Sequence, residues 1–392
     1  MLPRLTRLIA LLAVLVAAFG ASPAPAGAAK KMEVALGDDA TFLSGLRSPF
    51  KGLSRAKSLH VTWIRVSMPW STVLKKQANY RKKPKKLTYH WRQWDDIVAR
   101  ARRKGIAVQL TLSGPAPKWA SGNKKKSNYK PKAKYYGRFA NAAAKHFGRN
   151  VWRYEIWNEP NLRVWLSPLK RSAKIYRSLY AAAYRNIKSV SKKNQVLIGE
   201  TAPFARKGRN IAPLKFLRGV TCVNSRYKHR RCKNPLRADG YAHHPYDYTH
   251  KPTYRYPGKD NVTLGTLSRL TKALSRLRKS RALLTPKSGV LPVYLTEYGY
   301  FSAGNTKRSR KYNISKKRHA KYLVQAFKIA RKNKHVKQLL QYLLVTPPKK
   351  YGFFATQIMS AKFKPYAPYT ALRKWTASEA KRGGIATKPK LP

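Results

Sequence analysis

The sequence predicts an α/β protein built as a parallel (β/α)8 TIM barrel. Two observations carry that reading. From residue 32 onward, short apolar runs alternate with helical patterns, and this alternation implies parallel strands joined by right-handed crossovers. The 392-residue length, with a 43% hydrophobic fraction and nine Trp, 24 Tyr and 12 Phe, suits one barrel with a packed core. An open doubly wound sheet would carry a glycine-rich phosphate turn after its first strand, and Leu36-Gly37-Asp38-Asp39 is no such turn.

The eight candidate strands are 33–36, 61–66, 107–112, 154–157, 196–199, 240–242, 293–296 and 339–345. Between them, residues 91–104 place Trp94, Ile97, Val98 and Ala101 on one helical face, with Thr88 as the expected cap and Gly105 as the stop. Residues 172–190 repeat the pattern with Ile175, Leu179, Ala182, Ala183 and Ile187. Further helices are expected at 134–147, 264–281, 315–332 and 366–375, with a weaker one near 214–219.

The termini and cysteines bear on compartment. Arg4 and Arg7, the apolar run 8–18 and the small residues Ala26-Gly27-Ala28 read as a signal peptide, residues 1–28, with the cut before Ala29. The run is too short, and too soon followed by Pro23 and Pro25, for a membrane span. The mature barrel is expected over 29–380, with a loose basic tail at 381–392. A secreted, extracellular chain permits a Cys222–Cys232 disulfide; two free thiols are the other reading.

Charge is the second unusual property. There are 85 Lys plus Arg against 13 Asp plus Glu, a net charge of +72. Such a surface attracts polyanions, whether nucleic acid, acidic polysaccharide or cell envelope, and equally serves plain solubility. The aromatic residues form no RNP-type pair, so a nucleic-acid module finds no motif.

In a barrel, chemistry gathers at the C-terminal ends of strands. Arg65 and Trp70 fall at the second strand, Trp119 after the third, and Asn158 and Glu159 after the fourth. His243, His244 and Tyr246 follow the sixth, and Glu297 ends the seventh. Strand alternation sends one of the two adjacent histidines inward, and His244 is the choice for the site. The histidines match no standard metal-ligand spacing, so neither a metal nor a cofactor is expected. Glu155 and Glu200 read as buried, paired acids; for Arg65 a salt-bridge role, and for Trp119 a packing role, compete with substrate contact.

The pattern Trp157-Asn158-Glu159-Pro160, with Glu297 before Tyr298-Gly299 and with His244-Pro245-Tyr246, resembles glycoside hydrolase clan A. The similarity is closest to cellulase-like retaining glycosidases near families 5 and 39. Trp70, Tyr89-His90-Trp91 and Lys362-Phe363-Lys364-Pro365-Tyr366 extend it over most of the mature chain. The resemblance implies Glu159 as acid/base and Glu297 as nucleophile on a carbohydrate substrate, with Asn158 on the sugar 2-hydroxyl. It also implies that Arg65 and Tyr246 keep Glu297 ionised, that His244 supports the site, and that Trp70 and Trp119 bind substrate. One feature departs from the clan: no Trp ends the eighth strand, where Tyr342, Phe353 or Phe354 is left to form the floor. The competing expectation is a non-catalytic barrel that binds an anionic polymer through its basic surface.

Overall fold

The computed structural model describes residues 31–390, other than 44, 231, 233, 287–288, 305 and 349–352. The expected signal peptide lies outside the described residues. Eight parallel strands close into a barrel. They are β1 (Glu33–Gly37), β2 (Trp63–Pro69), β3 (Ala107–Ser113), β4 (Arg153–Ile156), β5 (Gln195–Thr201), β6 (Gly240–His243), β7 (Val293–Tyr298) and β8 (Val336–Tyr342). The principal helices are α1 (Pro49–Lys57), α2 (Arg92–Arg103), α3 (Ala133–Phe147), α4 (Ser172–Val190), α5 (Pro213–Val220), α6 (Leu267–Lys279), α7 (Lys316–Lys332) and α8 (Ala367–Lys381).

Boundaries differ from the expected ones where local chemistry intervenes. Strand β8 stops at Tyr342 because Leu343 adopts φ 66°, which no strand can carry. Thr88 does not cap α2; its N–H instead donates to Gln77 Oε1, and the helix starts after Trp91. Gly105, at φ 67°, does end that segment. Helix α1 opens with Ser48 as N-cap and Pro49 in the first turn, a start signal that the sequence carries openly.

The main apolar core lies between barrel and helices. On β2, Ile64, Val66 and Met68 point outward into it, whereas Trp63 belongs to a small inner cluster with Ala35, Ala107 and Leu340. Gly240 on β6 leaves room inside the barrel, since a Cβ there would sit 2.4 Å from the Tyr294 ring. A second inner cluster joins Leu197, Ala242 and Tyr294, and a polar column runs beside the two. Arg153 is buried over the Trp63 ring at 3.6 Å and donates to Glu33 at 2.7 Å. Gln109 bonds Gln338 and passes the network upward, donating to Glu155 Oε1 at 2.6 Å.

The barrel seam is tied by Asp38. Its carboxylate accepts from Thr41 N and Oγ1 and from the backbone N–H of Leu344 and Val345, at 2.8–3.0 Å. This joins the end of β1 to the end of β8. Burial pushes its pKa up to about 6, against the four donors. The segment after Lys381, expected loose, is anchored at first: Ile385 is buried, pairs with Met32, and Ala386 N donates to Met32 O at 2.9 Å.

Asp38→Asn tests the seam. The amide nitrogen would face N–H groups that need an acceptor, and each buried donor left unsatisfied costs roughly 1–3 kcal/mol. Urea unfolding should show a loss of about 2 kcal/mol or more; an unchanged midpoint would mean that the carboxylate does not hold the seam.

Candidate active site

Two stretches of strained backbone deliver the side chains that gather at the barrel mouth. Beyond β4, Trp157 has φ 69° and Glu159 φ 38°, and on β5 Glu200 has φ 50°. Positive φ at such residues costs on the order of 1–3 kcal/mol each and persists only where surrounding contacts enforce it. Here Trp157 is wedged over Gly114, where a Cβ would come within 2.6 Å of the indole, and its Nε1–H donates to Trp165 O at 3.0 Å.

Arg65, on the inner face of β2, is the hub. Its Nε donates to Glu155 at 2.6 Å, one terminal nitrogen to Glu297 at 2.8 Å, and the other to Glu200 at 2.7 Å and Asn158 Oδ1 at 3.1 Å. A guanidinium only donates, so the oxygen of Asn158 must face it. That leaves the Asn158 amide nitrogen, which has no partner among the described residues, as a donor still to be used. Glu155 takes further bonds from Gln109 and Thr111, and Glu200 from Thr296. Both acids are fully buried and paired, as their sequence positions suggest.

Adjacent histidines take opposite charge states. His243 faces the barrel wall, between Thr201 Oγ1 at 2.9 Å and Val262 O at 3.0 Å. The carbonyl accepts only, so Nε2 carries the hydrogen, and burial pulls the pKa down to about 3. His244 faces inward. Its Nε2 meets Glu200 at 3.1 Å and its Nδ1 meets Glu159 at 3.1 Å, with Glu297 Oε2 at 3.6 Å. Burial alone would lower its pKa, but Glu297, Glu159 and Glu200 raise it to about 10. His244 is therefore an imidazolium at neutral pH, donating from both nitrogens.

Glu159 and Glu297 thus share one nitrogen. The two contacts limit the separation of the contacting oxygens to at most about 6.7 Å, the case of a straight line through Nδ1. Tyr246 donates to Glu297 Oε2 at 3.1 Å. Burial raises the Glu297 pKa; His244 and Arg65 pull it down, and Glu159 and Glu200 push it up again. The net direction is upward, so Arg65 and Tyr246 orient Glu297 without bringing it below the ordinary glutamate range. Glu155 is raised to about 7, by burial and by Glu200.

Arg65, Asn158, Glu159, His244, Tyr246 and Glu297 therefore converge as the sequence pattern implies. Trp70 and Trp119 do not. Trp70 is fully buried, stacked on Phe139 of α3 at 5.9 Å, and Trp119 packs edge-on against it and donates to Gln77 O. The turn Trp70–Leu74 carries the first ring outward under α3, so both serve packing. The floor left without a Trp is formed by Tyr342 and Phe354, edge-to-face at 5.6 Å, with Phe354 also against Tyr246. Sequence reasoning missed Tyr248, which packs against Phe204, Phe301 and Tyr312 beside the site; its place two residues after Tyr246 was the available signal. The Cys222–Cys232 disulfide is formed, away from this cluster, with Cα atoms 6.0 Å apart.

Beside Glu159 opens a cleft of about 450 Å³, walled by segments that follow β4, β5, β6, β7 and β8. No helix among the described residues is long and apolar enough to cross a membrane.

Comparison with known proteins bears on the fold and the family. No curated protein matches the chain by sequence. Among solved structures, it is similar to a family 39 glycoside hydrolase from Bacteroides cellulosilyticus WH2, at 18% identity and TM-score 0.60, covering 89% of this chain and 64% of that one. It is also similar to a monomeric beta-xylosidase from Caulobacter crescentus CB15, at 16% identity and TM-score 0.57, covering 89% and 68%. A glucosidase from Croceicoccus marinus matches at 14% identity and TM-score 0.60, covering 89% and 66%. These likenesses show the barrel fold, and the chain spans 64–68% of the length of those three proteins. Residues 51–335 match the model of one family, Cellulase (glycosyl hydrolase family 5). The chain belongs to that cellulase family, glycosyl hydrolase family 5.

Proposed function

We propose that the protein hydrolyses a β-linked glycoside with retention, using Glu159 as acid/base and Glu297 as nucleophile. The observation that carries this is the shared His244 contact. It caps the separation of the two carboxylates' contacting oxygens at about 6.7 Å, near the lower edge of the roughly 6.5–9.5 Å that an inverting enzyme needs for its water, and leaves room for the ~5 Å of a retaining one.

Each group has a defined task in that chemistry. Glu297, aimed by Arg65 and Tyr246, attacks the anomeric carbon. Glu159 protonates the departing oxygen, and the sugar is left as an ester of Glu297. Glu159 then takes a proton from water, which attacks the same carbon and frees the sugar. His244 donates to Glu159 Oε1, so Oε2, which has no partner among the described residues, is the oxygen that carries the proton. The Asn158 amide nitrogen is free to donate to the 2-hydroxyl. Residues 1–28 are proposed to export the chain, and a disulfide suits an oxidising compartment.

Variants at the two glutamates separate the roles. Glu297→Gln should lose all turnover, whatever the leaving group. Glu159→Gln should lose about 10²–10⁴-fold on substrates with a poor leaving group and far less on an activated aryl glycoside. Equal losses on both substrate types would contradict the assignment.

The pH profile tests the electrostatics. Glu297 must be ionised to attack, so a raised pKa moves the acid limb of kcat/KM above the ordinary glutamate value. His244 is the largest charge holding that pKa down. His244→Asn should therefore move the acid limb to higher pH; a shift to lower pH would contradict the account.

A further inference from the structure

We infer that the cleft beside Glu159 binds an oxyanion on the leaving-group portion of the substrate, making the preferred substrate an acidic glycan. This rests on the glycosidase reading and specifies its substrate class. Four guanidinium side chains line the cleft: Arg163, Arg206, Arg209 and Arg308. Its wall includes Glu159 but not Glu297. The acid/base sits on the leaving-group side of the scissile bond, so the cleft takes that portion of the glycan.

General basicity does not account for the cleft. The chain has more lysines than arginines, yet among the described residues the four cations that line the cleft are all arginines. Arginine presents a planar fork that pairs two N–H groups with a carboxylate or sulfate, which an ammonium cannot do. None of the four forms an ion pair among the described residues, whereas Arg218, elsewhere on the surface, is held by Asp260. Glu159 is the sole acid among the described lining residues.

Two of the guanidiniums are seated on aromatic rings. Arg206 lies over Phe204 at 5.4 Å and Arg308 over Phe353 at 4.7 Å. Ring stacking covers a guanidinium face and leaves its N–H edge open to bond an anion. Arg206 comes from the loop after β5 and Arg308 from the loop after β7, so the two approach the cleft from different walls.

The test uses three β-linked oligosaccharides that differ only in the leaving-group sugar: glucose, glucuronate and 6-sulfated glucose. The full-length protein should show kcat/KM at least about tenfold higher on an anionic member than on the neutral one, the scale of one or two charge-assisted hydrogen bonds. Uronate and sulfate arms tell which oxyanion the fork accepts. In the double variant Arg206→Gln, Arg308→Gln that ratio should collapse to near one. The charge-matched variant Arg278→Gln, Lys279→Gln, on exposed positions of α6, should keep it. Equal ratios in both variants, or no preference in the parent, would overturn the proposal while leaving the glycosidase reading intact. If the parent cleaves none of the three, calorimetry on Glu297→Gln decides separately: binding of an anionic oligosaccharide that depends on Arg206 and Arg308 supports the cleft without the chemistry. Absence of such binding overturns it.

Discussion

The guanidinium of Arg65 is the interaction on which the rest of the site depends. It lies inside a closed barrel and bonds three carboxylates and one amide, drawn from β4, its following turn, β5 and β7. Taking so many charges out of water is costly, and only a nearly complete set of partners makes it tolerable. The chain supplies them in layers. Gln109 and Thr111 complete Glu155, Thr296 completes Glu200, and His244 adds a second cation between Glu200 and Glu159. Glu155, Glu200 and Glu297 have both oxygens held by donors, and His244 holds one oxygen of Glu159, so the glutamates at the mouth are tied to one frame.

The polar interior explains an unusual division of labour in the fold. Barrel interiors are commonly filled by layers of branched apolar side chains. Here the apolar core sits outside the strands, and the inside holds a hydrogen-bonded column from Glu33 through Arg153 and Gln109 to Glu155 and Arg65. Beside this column the interior holds two small apolar clusters, around Trp63 and around Leu197, so most of the apolar packing lies in the annular core. Strain at Trp157, Glu159 and Glu200 is tolerated because the same column clamps the residues on either side.

Much of this was legible in the sequence. The strand-helix alternation identifies the barrel, and Asn158-Glu159, His244-Pro245-Tyr246 and Glu297 each stand just beyond or at a strand end. What was not legible is whatever depends on three-dimensional convergence. The resemblance links Arg65 to Glu297, but its place as a hub does not show locally: its bonds to Glu155, Glu200 and Glu297 span 90, 135 and 232 positions. Trp70 and Trp119 have the right residue type at the right strand ends, yet a short helical turn rotates Trp70 into packing beneath α3, a rotation that pattern alone does not show. The cleft arginines were hidden for the opposite reason. In a chain with 85 basic residues, no single arginine stands out until the fold gathers four of them beside one carboxylate.

The central claim is that Glu297 attacks the sugar while Glu159 handles the proton. Incubation with a 2-deoxy-2-fluoro glycoside carrying a good leaving group slows both steps and accumulates the covalent intermediate. Mass spectrometry of the digested protein should then find one sugar adduct, on the peptide containing Glu297. An adduct on the Glu159 peptide, or turnover with no adduct and an inverted anomeric product, would contradict the account.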